Sequence, residues 1–240
     1  MFFLYKYLSP FLSQTRNVVV LSYPKSGRTW LRVMLSDLGL NPGFDHVMTK
    51  FSYFKKPGDI TKGLEGLKDN RILFLYRDPR DVVVSAYYYY KYNKAYHDLD
   101  FKVFLRKPEM GFEKIVAFNS YVLNNPQIFM NFMSVSYEEL HANPVKELQK
   151  CLKFMAVKHI CEDDIAKVVK KHSFSNMQKN EKNKNLRKIY GASLFPAPRN
   201  DNGEKSLKIR QGKVHGYKEL MDEEDCKFCD EILSKYLSYV

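Results

Sequence analysis

Apolar residues fall into two rhythms along this chain. Short apolar runs occur at Asn17–Leu21 (NVVVL) and Arg71–Tyr76 (RILFLY), and Phe132–Tyr137 (FMSVSY) is a third strand candidate. The first two are rich in β-branched or aromatic residues and too short for a stable helix, so they read as strands buried on both faces. Between them lie segments with helical spacing. Thr29–Leu38 has that spacing and stops at Gly39, with Asn41-Pro42-Gly43 as a loop. Asp78-Pro79 opens a second helix with Pro in its first turn, running through the Tyr87–Tyr90 block. Asn143-Pro144, Glu162–Lys171 and Asp222–Tyr239 mark three more. Residues 44–70 are mixed, with Pro57-Gly58 as a turn. Residues 175–210 are polar, Lys/Asn-rich and poorly periodic, which predicts a long loop or lid. Strands alternating with helices predict an α/β fold: one domain over residues 1–240 with a central parallel sheet flanked by helices. Ligands of such sheets bind at the carboxyl ends of the strands, so the chemistry is sought there.

Composition narrows the partners. A length of 240 residues suits one large domain at ~150 residues per domain. Hydrophobic residues at 45% and aromatics at 15% exclude a disordered chain. The formal net charge of +12 calls for an anionic partner: nucleic acid, a membrane surface or a small polyanion. The four cysteines, Cys151, Cys161, Cys226 and Cys229, make no disulfide framework in a chain this long. Cys226 and Cys229 sit in an amphipathic helical pattern, which favours ordinary helix cysteines over zinc ligands. Residues 1–16 are apolar and aromatic but interrupted by Lys6 and Pro10, and fall short of the ~20 apolar residues of a membrane span. They read as an arm packed on the domain, in a cytoplasmic protein without stable membrane insertion.

The first strand runs into Ser22-Tyr23-Pro24-Lys25-Ser26-Gly27-Arg28-Thr29-Trp30, where a helix starts. Backbone N–H groups at a helix start cradle anions. Gly27 permits close approach, Ser26 and Thr29 offer hydroxyls, and Lys25 adds a mobile cation. A nucleotide triphosphatase loop reads G-x-x-x-x-G-K-[ST]. Here Ser22 stands where the first Gly belongs and the lysine precedes Gly27 by two residues, so the loop is phosphate-binding but differs from the ATP/GTP version. After the second strand come Arg77 and, eight residues on, Ser85. An arginine fork and a hydroxyl there suit a phosphate. Asp78 reads as a helix N-cap, and Arg80 with Asp81 as a local ion pair.

Tyr-Pro-Lys-Ser-Gly-x-Thr-Trp resembles the 5′-phosphosulfate-binding loop of sulfotransferases that use 3′-phosphoadenosine 5′-phosphosulfate (PAPS). Arg77 and Ser85 resemble the same family's 3′-phosphate motif. Val135-Ser136-Tyr137-Glu138-Glu139-Leu140 looks like its strand ending in Tyr-Glu-[Asp/Glu], whose tyrosine lies against the adenine. Ser173-Phe174-x-x-Met177 looks like its Ser-Phe-x-x-Met segment, whose Phe stacks on the adenine. Arg210-Gln211-Gly212 resembles its Arg-Lys-Gly, with Gln in place of Lys. The resemblance spans roughly residues 17–220. It implies a donor site built from Tyr23, Pro24, Lys25, Ser26, Gly27, Arg28, Thr29, Trp30, Arg77, Ser85, Tyr137, Phe174, Arg210, Gln211 and Gly212. Trp30 and Phe174 would sandwich the base, and Arg210 would join Arg77 and Ser85 at the 3′-phosphate.

The implied reaction is in-line sulfuryl transfer from PAPS to a hydroxyl or amine, a carbohydrate among the candidates, leaving PAP and needing no metal. Lys25 would stabilise the leaving phosphate. A histidine base between the two phosphate motifs leaves His46 as the candidate there, with His97 and His215 weaker. Aromatics such as Tyr53, Phe54 and Tyr87–Tyr90 are candidates for the acceptor pocket. The family's dimer motif is not found, so the oligomeric state stays open. Two other readings compete. A P-loop kinase or ATPase would use the same loop with Asp78 as its acid. A nucleic-acid-binding module would use the basic run Lys167–Lys188, but such runs are usually solvated faces, so no nucleic-acid partner is expected.

Overall fold

The computed structural model describes residues 15, 17–46, 57–93, 98–197 and 206–237. Most of the expected arm, with Tyr53, Phe54 and His97, lies outside them.

Four strands form one parallel sheet: β1 Val18–Leu21, β2 Gly43–Asp45, β3 Arg71–Tyr76 and β4 Asn131–Ser136. Their order is β2-β1-β3-β4. Val19 pairs with Gly43 on one side of β1 and with Ile72 on the other, and Leu73 pairs with Met133. The apolar runs serve both faces of the sheet. Ile72 and Phe74 enter one core with Val83, Phe104, Ile115 and Phe118. Leu73 and Leu75 enter the other with Leu31, Met34, Leu148 and Leu152. A strand covered on both sides cannot alternate with polar residues, which is why RILFLY is apolar through its middle.

Helices begin about where the sequence reading placed them at Arg28, Pro79, Pro144, Glu162 and Glu223, while those at Phe101–Leu105, Phe112–Asn124 and Tyr137–Ala142 were not read from the sequence. They are α1 Arg28–Asp37, α2 Pro57–Leu64, α3 Pro79–Asn93, α4 Phe101–Leu105, α5 Phe112–Asn124, α6 Tyr137–Ala142, α7 Pro144–Phe154, α8 Glu162–Lys171, α9 Phe174–Lys182, α10 Asn185–Tyr190 and α11 Glu223–Leu237. Pro57-Gly58 opens α2 rather than making a turn. Pro suits the first helical turn, because the N–H it lacks would find no carbonyl there. Residues 175–182 and 185–190, joined by a turn, are also helical and not a loop. Their polar composition reflects narrow contact faces: only Met177 and Leu186 are buried from α9 and α10. No described helix is long and apolar enough to cross a membrane. Cys226 and Cys229 lie on α11, and Cys229 is buried in the core.

The order 2-1-3-4 places a topological switch at β1. The chain leaves β1 toward β2 on one side and returns to β3 on the other. The crevice at the carboxyl ends of β1 and β3 is where a ligand fits, and both phosphate motifs begin there.

Candidate active site

A cleft of about 1760 Å³ opens over this edge. It is lined by Tyr23, Pro24, Lys25, Gly27, Arg28, Thr29, Trp30, His46, Arg77, Ser85, Tyr137, Phe174, Arg210, Gln211 and Gly212. Of the expected site residues only Ser26 is not on its wall. Ser26 is fully buried beneath it, and its Oγ has no hydrogen-bond partner.

The loop after β1 is tightly wound. Ser26 N donates to Tyr23 O at 3.3 Å, and Trp30 and Leu31 both donate to Gly27 O. Lys25 and Gly27 have φ of 75° and 93°. A lysine in this left-handed region carries strain, a common feature of functional loops. The requirement for glycine at 27 is steric as well as conformational: a Cβ there would lie 2.5 Å from Tyr137 Cδ2. The first N–H groups of α1, starting at Arg28, have no carbonyl within the helix to bind, which leaves an anion cradle. Lys25 Nζ lies 4.9 Å from the centre of the Tyr89 ring. Burial, then the nearby Lys208, lowers its pKa to about 7 against an opposing pull from Glu181.

Arg77 leaves the end of β3 into a fixed pose. Its Nη2 donates to Asp81 Oδ2 at 3.1 Å and to Lys213 O at 2.7 Å. Its guanidinium stacks 4.2 Å from the centre of the Tyr137 ring, while Nε is buried without a hydrogen-bond partner. Asp81, 3% exposed, also accepts from the backbone N–H of His215 and Tyr217. Asp78 caps α3 as expected, accepting from Arg80 N at 2.9 Å. The expected Arg80–Asp81 pair does not form. Arg80 pairs instead with Asp78, and Asp81 with Arg77. A helix places residue i+4, not i+1, beside residue i, and Arg77–Asp81 has that spacing.

Tyr137 joins the separate segments. It underlies Gly27, stacks beneath Arg77, meets Trp30 edge-on at 5.9 Å and donates from its hydroxyl to Gly212 O at 3.1 Å. Gly212 in turn lets Phe174 approach, since a Cβ there would lie 2.2 Å from Phe174 Cδ2. Arg210 stacks 3.9 Å from the centre of the Tyr88 ring. Gln211 turns to Glu219, donating at 2.9 Å. The tyrosine block splits: Tyr88 and Tyr89 meet the cleft cations Arg210 and Lys25, while Tyr87 packs on Phe101 at 5.2 Å and accepts from Lys91 Nζ at 2.9 Å.

His46 follows β2 and lies on the cleft wall. Burial and then the Arg28 cation lower its pKa to about 4, opposed by Asp45. The ring is therefore neutral near pH 7. His215 does not share that place. It sits on the Asp78 side, with Nδ1 3.8 Å from Asp78 Oδ2.

Three supporting groups escaped the sequence reading. Glu181 accepts from the backbone N–H of Lys208 and Ile209 at 2.8 and 2.9 Å, and Gln178 donates to Arg210 O at 2.9 Å. Helix α9 thus fastens residues 208–210 to the cleft. His172 O accepts from Trp30 Nε1 at 2.8 Å, and its ring lies 2.7 Å from Asp37, which also accepts from Tyr190. That chain ties Trp30 to α8, α10 and the end of α1. Lys208 itself lines the cleft. No short motif marks these groups. Their partners are 27 to 153 residues away.

The likeness to known proteins agrees with this geometry. Sulfotransferase 1A1 of Canis lupus familiaris is 26% identical over 212 residues, covering 72% of this chain and 70% of that protein. Sulfotransferase 1 family member D1 of Mus musculus is 28% identical over 205 residues, covering 71% and 68%. The crystal structure of mouse sulfotransferase SULT7A1 complexed with PAP shares the fold, with a TM-score of 0.64 at 19% identity over 96% of this chain and 87% of that one. Retinol dehydratase in complex with androsterone and inactive cofactor PAP aligns with a TM-score of 0.62 at 15% identity over 97% and 84%. The sulfotransferase domain model matches residues 61–239, taking in Arg77, Ser85, Tyr137, Phe174 and Arg210. By that match over most of its length, the chain belongs to the sulfotransferase family.

Proposed function

We propose that this protein moves the sulfuryl group of PAPS to a hydroxyl or amine of an acceptor. The observation that carries the reading is the meeting of two phosphate sites at one crevice: the loop after β1 and Arg77–Ser85 after β3 line the same cleft. Each site keeps a buried, unpartnered polar atom, Ser26 Oγ and Arg77 Nε, as a site built for phosphate would. PAPS would supply the activated sulfuryl group and a phosphate leaving group. The cradle at the start of α1, with Ser26 and Thr29, holds the 5′-phosphate. Arg77, Ser85 and Arg210 take the 3′-phosphate, and Trp30, Tyr137 and Phe174 bound the adenine. Lys25 stabilises charge on the bridging oxygen as the phosphate departs. His46 takes the acceptor proton.

Adenosine 3′,5′-bisphosphate is expected to raise the unfolding temperature by roughly 5–10 °C at ~100 times its Kd. Mg-ATP is expected to raise it far less. An equal or larger shift with Mg-ATP would favour the kinase or ATPase reading. His46→Ala is expected to lower turnover at least ~100-fold while nucleotide affinity stays near that of the parent. Parent-like turnover would remove His46 from the mechanism.

A further inference from the structure

Three cations line the cleft with His46: Arg28, from the loop that the resemblance assigns to the donor, and Arg32 and Lys208, which no donor motif contains. They act on one another. Burial and then Arg32 lower the pKa of Arg28 to about 10, and burial and then Arg28 lower that of Lys208 to about 8. Compensation is thin. Asp45 faces Arg28, while both Glu181 oxygens are engaged by the backbone N–H of Lys208 and Ile209. Arg28 Nη1 is buried and has no hydrogen-bond partner. Lys208 Nζ donates to Leu194 O at 2.7 Å, and the Arg32 guanidinium rests 4.8 Å from the centre of the Phe44 ring. Lys170, Lys184 and Arg187 extend the positive lining of the same cleft.

Like charges gathered in a half-dry cleft cost free energy unless an anion enters it. The planar fork of an arginine with a vacant donor matches a carboxylate or sulfate oxygen. We propose that the acceptor is itself an anion, and that Arg28 and Lys208 hold its carboxylate or sulfate with the reacting hydroxyl or amine turned toward His46. This rests on the PAPS reading above and adds the acceptor's class to it. The arrangement also makes the positive lining useful twice, because it draws both reactants to the same crevice.

The test uses matched acids and methyl esters: a uronate-containing disaccharide with its ester, and a hydroxybenzoate with its ester. Each is titrated calorimetrically into the intact protein saturated with adenosine 3′,5′-bisphosphate, then assayed for transfer from PAPS. At least one acid is expected to bind about tenfold tighter than its ester, the scale of one charge-assisted contact. Which pair responds distinguishes a sugar acid from an aromatic one. The preference is expected to vanish in Lys208→Gln, with nucleotide affinity within about threefold of the parent. The glutamine amide at 208 retains a donor for Leu194 O, so the fold is expected to persist in that variant. Equal binding of acid and ester in both pairs would overturn the proposal. So would a loss of nucleotide affinity as large as the loss of acid binding, which would assign these cations to the donor. Failure of the parent protein to bind the bisphosphate would instead bring down the PAPS reading and this one with it.

Discussion

Lys25→Met is expected to lower sulfuryl transfer by about 10³-fold, because it removes the one mobile cation that the loop after β1 presents to the departing phosphate. Methionine keeps the length and flexibility of the side chain, so the loss reports on charge. The backbone cost at φ 75° is borne by either residue, so the fold should persist. The expected pH behaviour is as specific as the rate. With its pKa near 7 in the free protein, Lys25 is charged below pH 7 and increasingly neutral above it. A polyanionic nucleotide favours the charged form. Binding above pH 7 must therefore draw in a proton, and affinity should fall as pH rises, by up to ~10-fold per unit. Calorimetry of adenosine 3′,5′-bisphosphate binding in buffers of different ionisation enthalpy measures that proton. Its uptake should fall in Lys25→Met, with any remainder reporting on Lys208, whose pKa is lowered to about 8 in the same cleft. Undiminished uptake in the variant would place the proton elsewhere, and turnover within ~10-fold of the parent would deny Lys25 its proposed role.

Arg77→Gln is expected to weaken adenosine 3′,5′-bisphosphate binding by at least ~100-fold, the lower range for removing one partner of a buried charge contact. Two effects combine. The nucleotide loses a forked donor, and Asp81 loses its cation while only 3% exposed. The second effect alone should lower the unfolding temperature, since a buried carboxylate is left with only the two backbone N–H groups of His215 and Tyr217. The 3′-phosphate role is isolated by a ligand that lacks that group. The parent protein should prefer adenosine 3′,5′-bisphosphate to adenosine 5′-phosphate strongly, and Arg77→Gln should lose most of that preference, the remainder coming from Ser85 and Arg210. A variant that keeps the full preference would move the 3′-phosphate away from Arg77.

Much of the site was legible because its chemistry lies next to strong local signals. The loop after β1 is marked by an apolar run, a glycine that sits at φ 93° and the start of a helical period. Arg77 is marked by the end of RILFLY, and Asp78 by the proline that follows it. Edges were harder to read. Strand β2 has three residues and, among the described residues, only one strand partner, so no run of apolar residues announces it. Helices α9 and α10 each bury one side chain, too few to impose a visible period on a polar stretch. Charge pairing was misread where proximity in sequence was taken for proximity in space. Arg80 and Asp81 are neighbours in the chain, but the turn of α3 hands Asp81 to Arg77.

The sequence by itself determined three of the sheet's four strands, five of the helices, and most of the residues that line the cleft. Those properties depend on spacings of one to eight residues, which a linear reading can see. Only the tertiary structure decided how the pieces meet. It brought Tyr137 against Gly27, Arg77 and Gly212 at once, fastened residues 208–210 to Glu181 and Gln178, and gathered Arg28, Arg32 and Lys208 beside His46. Contacts across such distances in sequence leave no periodic trace, because each is a match of shape and charge between two surfaces that fold separately into place. The net charge of +12 was visible from the start. The gathering of part of it along one cleft was decided by the fold.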